Sequence, residues 1–85
     1  MTYAVEVPRK VQKQVARLPT DVQSCIDAAI RDLSQDTRPP GCRRLSRRGD
    51  EWRIRVGDYR IFYEIHDDSK KVLVVEVWHW QRGYE

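Results

Sequence analysis

The sequence has no run of about eighteen apolar residues, the minimum for a helix that crosses a bilayer, so no membrane span is expected. Its opening residues, MTYAVEVPRK, lack the apolar middle of a secretory signal, which points to a cytoplasmic protein. Cysteine is scarce: Cys25 and Cys42 stand far apart, and in a reducing compartment no disulfide between them is expected. His66 and His79 are the only histidines, and their spacing from the cysteines does not suit a zinc site. No structural metal is therefore expected. Repeats and low-complexity linkers are also missing, so residues 1–85 read as one domain with one modest core.

Arginine, by contrast, is abundant. Twelve of the sixteen basic residues are arginine, although the net charge is only +3. A guanidinium is a planar fork that suits phosphate and stacks on bases. The composition fits either a phosphate-bearing partner or a solvated arginine-rich surface. The distribution of charge has to decide.

Tyr3, Val5 and Val7 alternate with polar or small residues, as in a short strand. Pro8 suits the start of a helix, and Val7, Val11, Val15 and Leu18 form one apolar stripe along it. Pro19 ends that helix. Thr20 and Gln23 have the spacing of a capping box for a second helix, whose stripe is Val22, Ile26, Ala29, Ile30 and Leu33. The short link predicts an antiparallel helical hairpin, and Pro39-Pro40-Gly41 closes it. Cys42–Leu45 reads as a short strand or an arginine-rich loop. Strands follow at Trp52–Val56, Tyr59–Ile65 and from Val72 to about His79. The fold class is α+β: a first strand, two helices, then an antiparallel meander with the helices on one face.

Gly57-Asp58 suits a two-residue type II′ turn, which sets the hairpin register. Arg55 then opposes Arg60, and Arg53 opposes Phe62. Trp52, Ile54, Val56, Tyr59, Ile61 and Tyr63 face the core, while Arg53, Arg55, Arg60 and Phe62 share the other face. Opposed arginines repel, so the arrangement makes sense if an anion binds between them. Alternatively, Glu51 or Glu64 neutralises part of the cluster. Upstream, Arg43, Arg44, Arg47 and Arg48 make either a phosphate track or a solvated loop. Trp78, His79, Trp80 and Tyr84 could stack on unpaired bases. By parity, Trp78 and Trp80 share the face of Glu76, and His79 shares that of Leu73, Val75 and Val77.

The stretch WRIRVGDYRIFYEI, followed by VLVVEVWHWQRGYE, resembles the RelE/ParE toxin superfamily over nearly the whole chain. The resemblance implies the toxin of a type II toxin–antitoxin system. On the RelE side it implies a ribosome-dependent endoribonuclease that cuts mRNA in the decoding site by 2′-hydroxyl attack on phosphate. It implies that Arg55 and Arg60 hold the scissile phosphate, that Arg53 orients the RNA or lowers a neighbouring pKa, and that Tyr84 is the C-terminal catalytic tyrosine. Family members commonly have a second arginine where this chain has Trp80. Arg82 then takes over its charge, or Trp80 stacks on a base. Phe62, Trp78, Trp80 and the upstream arginines would contact RNA. A RelB-like antitoxin is the implied partner. Two alternatives stay open on the same fold: a ParE-like gyrase inhibitor and a non-catalytic RNA-binding module.

Overall fold

A computed structural model describes residues 2–45 and 51–79. Its elements are β1 (Ala4–Glu6), α1 (Arg9–Ala16), α2 (Thr20–Asp32), β2 (Arg43–Arg44), β3 (Glu51–Val56), β4 (Tyr59–His66) and β5 (Lys71–His79). The five strands form one mixed sheet in the order β1-β5-β4-β3-β2. The meander β3-β4-β5 is antiparallel throughout. β1 joins it parallel to β5, with Val5 opposite Val72, after the chain has passed through both helices.

The apolar stripes explain the layering. Val11 and Val15 of α1 and Ile26 and Ile30 of α2 are buried, together with Leu33 just beyond α2. They meet Ile61, Tyr63 and Ile65 of β4 and Val72, Val74 and Val77 of β5. Fully burying an aliphatic side chain of this size contributes roughly 1.5–3 kcal/mol, so this cluster carries most of the fold's driving force. The helices cover one face of the sheet.

Two local details differ from the sequence-based expectation. Thr20 and Gln23 form no capping box, because Pro19, with φ −55° and ψ 149°, is the N-cap and Thr20 is already helical. Gln23 instead reaches back and donates from Nε2 to the Leu18 carbonyl at 2.7 Å, which ties the helix link down. The second difference is a β-bulge. Phe62 faces Glu76 and Tyr63 faces Val74, so Val75 is an extra residue in β5. Leu73 pairs with Glu64, and Val77 with Ile61. His79 therefore shares the helix-covered face with Val77 and not with Leu73, because the bulge resets the alternation between them.

The segment between α2 and β2 is tied down by side chains. The buried Tyr63 hydroxyl donates to the Thr37 carbonyl at 2.9 Å. Burial, and then the neighbouring Cys42, push this hydroxyl above the ordinary tyrosine range, so it stays protonated. Arg38 lies over the Trp52 ring at 5.1 Å and donates to Asp67 at 2.9 Å. Tyr3 donates to the other Asp67 oxygen at 2.6 Å. This clamp joins the start of β1 and the segment after α2 to the turn between β4 and β5.

Candidate nucleic-acid interface

The β3–β4 hairpin builds the site. Gly57 has φ +58°, and Asp58 is not among the positive-φ residues, as a type II′ turn requires. With that turn in place, Arg55 pairs with Arg60, Ile54 with Ile61, and Arg53 with Phe62. Strand alternation sends Ile54 and Ile61 toward the helices and the arginines to the face that the helices do not cover.

On that face the side chains form rows across the sheet. One row is Arg55, Arg60 and Trp78; the next is Arg43, Arg53, Phe62 and Glu76. Rows lie about 7 Å apart along each strand, and neighbours within a row about 5 Å apart. Four arginines thus occupy an area the size of a few nucleotides. Arg55 is exposed, and its Nε donates to the Gly57 carbonyl at 3.0 Å, which turns the guanidinium toward the hairpin tip. Arg53 and Arg60 are half-buried.

Two of the carboxylates near this face, Glu64 and Glu76, have partners of their own, and Glu51 lies opposite Glu64, at the end of the hairpin far from the turn. Glu64 meets the His66 Nε2 at 2.9 Å, away from the Arg55–Arg60 row. Glu76 accepts from the Trp78 indole N–H and pairs with Lys10 at 3.4 Å. Its charge is directed to the β5 edge, where it holds the indole in place beside Arg60. The rows therefore keep a net positive field, suited to phosphate oxygens, with Phe62 and Trp78 available as flat surfaces.

Of the upstream arginines, Arg43 lies opposite Arg53 and joins this face. Arg44 lies opposite Trp52, so the alternation of the two-residue β2 puts it on the other side of the sheet, and it does not join the arginine rows. His79 packs edge-to-face on Tyr59, with ring centroids 5.2 Å apart, which is a structural contact. Arg47, Arg48, Trp80, Arg82 and Tyr84 lie outside the described residues. Among the described residues no three His, Cys, Asp or Glu side chains gather to hold a metal ion.

A second feature was not legible as a site. α1 carries Arg9, Lys10 and Lys13, and Arg17 follows at its C-cap. With Tyr59 and Trp78 on the opposite wall, they line a groove of about 860 Å³ next to the arginine face. The available signal was the lack of any acidic residue from Val7 to Thr20.

Two helices on one face of a five-stranded mixed sheet, with arginine rows on the other, define a RelE/ParE-type toxin fold. The chain belongs to the family described as ParE toxin of type II toxin–antitoxin systems (parDE), whose model matches residues 5–84. It is similar to a chain of the archaeal RelE–RelB complex from Pyrococcus horikoshii, with TM-score 0.86 and 25% identity over 96% of this chain and 99% of that one. A chain of the Mycobacterium tuberculosis RelBE2 toxin–antitoxin complex gives TM-score 0.78 and 25% identity, covering 93% of this chain and 99% of that one. An arginine-to-alanine double mutant of Escherichia coli RelE in the free state, at 20% identity, shares the fold with TM-score 0.75, covering 91% of this chain and 82% of that one. No curated protein matches the chain.

Proposed function

We propose that this toxin is a ribosome-dependent endoribonuclease that cuts mRNA in the decoding site. The observation that carries the reading is the Arg55–Arg60 pair, two cations held opposite each other on the face away from the helices, beside Trp78. A sheet built for stability alone would place an acid opposite a base there. An anion between the two guanidinium groups turns that repulsion into binding energy.

The reaction is transesterification within the RNA strand. A ribose 2′-oxygen bonds to the adjacent phosphorus, and the bond from phosphorus to the next 5′-oxygen breaks. The 2′-hydroxyl proton leaves to a base, and the departing 5′-oxygen gains a proton. The products are a cyclic 2′,3′-phosphate and a 5′-hydroxyl. Arg55 and Arg60 stabilise the extra negative charge on phosphorus-bound oxygen, and this charge stabilisation is the main source of rate. Arg43 and Arg53, one row away, hold the flanking phosphate, with Phe62 and Trp78 against bases. Resemblance assigns Tyr84 and Arg82 to the same centre. A RelB-like antitoxin, acidic toward this face, is the proposed partner, as RelB accompanies RelE in the similar solved complexes. The cytoplasm is the proposed setting.

The test is incubation of purified protein with ribosomes translating a defined mRNA, followed by mapping of product ends. Cleavage within the decoding site, with 5′-hydroxyl products, supports the reading. A second reading has one observation in its favour, the ParE description of the matching family. Intact mRNA together with inhibition of gyrase supercoiling would select it.

A further inference from the structure

We infer that the groove between α1 and the C-terminal half of β5 is a second polyanion site that takes the sugar–phosphate backbone of folded RNA. The inference deepens the proposed function, since it concerns how the same RNA-directed toxin docks.

The first observation is charge placement. Four cations and no acid lie between Val7 and Thr20. Arg9 and Lys10 sit in the first turn of α1, where the helix dipole disfavours a cation, and no acidic residue offsets them there. Lys10 reaches Glu76, but among the described residues no carboxylate pairs with Arg9, Lys13 or Arg17. At the first turn this charge opposes the helix dipole, whereas Lys13 in the last turn and Arg17 at the C-cap suit it, so the run as a whole offers four cations to an external anion.

The second observation is spacing. Arg9, Lys13 and Arg17 are four residues apart, so they form one row with a step of about 6 Å along the helix. That step is comparable to the separation of successive phosphates on one strand. The row borders the groove, whose other wall carries Tyr59 and Trp78.

The third observation is continuity. Trp78 belongs to the Arg55–Arg60 row, and the Glu76 carboxylate grips both its indole N–H and Lys10. The two cationic surfaces therefore meet across the β5 edge. An extended acidic peptide fits this edge less well. The Val77 N–H, which such a strand would need, already donates to Gln14 Oε1 at 3.2 Å.

The test uses the full chain, the double variant Lys13→Gln with Arg17→Gln, and the charge-retaining pair Lys13→Arg with Arg17→Lys. Binding to a fluorescein-labelled RNA hairpin is followed by anisotropy over a salt series. The neutral variant is expected to bind more weakly at every salt concentration, and its log–log salt slope to fall by about 2, one unit per lost phosphate contact. The charge-retaining pair is expected to restore the slope. An unchanged slope in the neutral variant overturns the inference. So does unchanged RNA binding with loss of binding to a glutamate-rich peptide. Cleavage assayed on the same preparations separates the two readings. A chain that cuts no mRNA but shows the predicted slope loss rejects the nuclease and keeps the groove. A chain that cuts mRNA with an unaltered slope does the reverse.

Discussion

Replacing Arg55 by Glu should make the protein more stable and less active. Arg55 and Arg60 are directly opposed across an antiparallel pair, where Cβ atoms lie about 4.5–5.5 Å apart. Two unit charges about 5 Å apart repel by about 0.8 kcal/mol in bulk water, and by more where protein displaces solvent. Arg55 is exposed, so the aqueous figure is the better guide. Glutamate removes the repulsion and adds an attraction of about 0.2–1 kcal/mol as an opposite-charge cross-strand pair. The hydrogen bond from Arg55 Nε to the Gly57 carbonyl is lost, at about 0.5 kcal/mol for an exposed group. The net gain is about 0.5–1.3 kcal/mol, or roughly 2–10 °C in Tm for a chain of this size. Thermal unfolding in low salt and in 1 M salt is the assay. The gain should shrink in 1 M salt, where the Debye length is about 3 Å. Arg55→Gln, which loses the hydrogen bond without adding an acid, should fall between the two proteins. A variant that unfolds at or below the parent Tm in low salt would refute the idea that the opposed Arg55 and Arg60 repel each other.

Other substitutions test the framework. Gly57→Ala meets no neighbouring atom within 4 Å, so its penalty is the left-handed backbone alone, about 1–2 kcal/mol by denaturant unfolding. Tyr63→Phe leaves the Thr37 carbonyl without its donor in a buried site and should cost about 1–3 kcal/mol in the same assay. Arg38 and then Tyr3 hold the Asp67 carboxyl below the usual carboxylate range. The stability that Asp67 contributes is thus present above its unfolded-state pKa and lost as pH falls through its lower folded value. Asp67→Asn should remove that part of the acid dependence, as read from Tm against pH; an unchanged profile would exclude the clamp as its source.

The hairpin was legible because Gly57-Asp58 permits one tight turn, and a two-residue loop pins every pair from Val56–Tyr59 to Arg53–Phe62. The valine and isoleucine stripes of both helices were legible for the same reason: local spacing decides which face is buried. Interactions between distant segments were not. Nothing near Val5 announces that it will pair in parallel with Val72. The extra residue Val75 has the same character as its neighbours, so the bulge that separates Leu73 from Val77 leaves no mark in the pattern. Thr20 and Gln23 satisfy a capping spacing that Pro19 pre-empts. Of the candidate site, the Arg53, Arg55 and Arg60 face could be read from parity. Arg44 could not be separated from Arg43 until β2 was paired with β3. The cations of α1 lie off its apolar stripe, and only the tertiary fold sets them against Tyr59 and Trp78.

The most direct test of the central claim is the single-turnover rate of mRNA cleavage on saturating ribosomes, compared between the parent chain and Arg60→Ala. Arg60 stands at the centre of its row, between Arg55 and Trp78. If it stabilises charge developing on phosphate, the variant should cut about 10²–10³-fold more slowly, as when one oxyanion donor is removed. A variant that cleaves at the parent rate, or a parent chain that leaves the mRNA intact, would contradict the account.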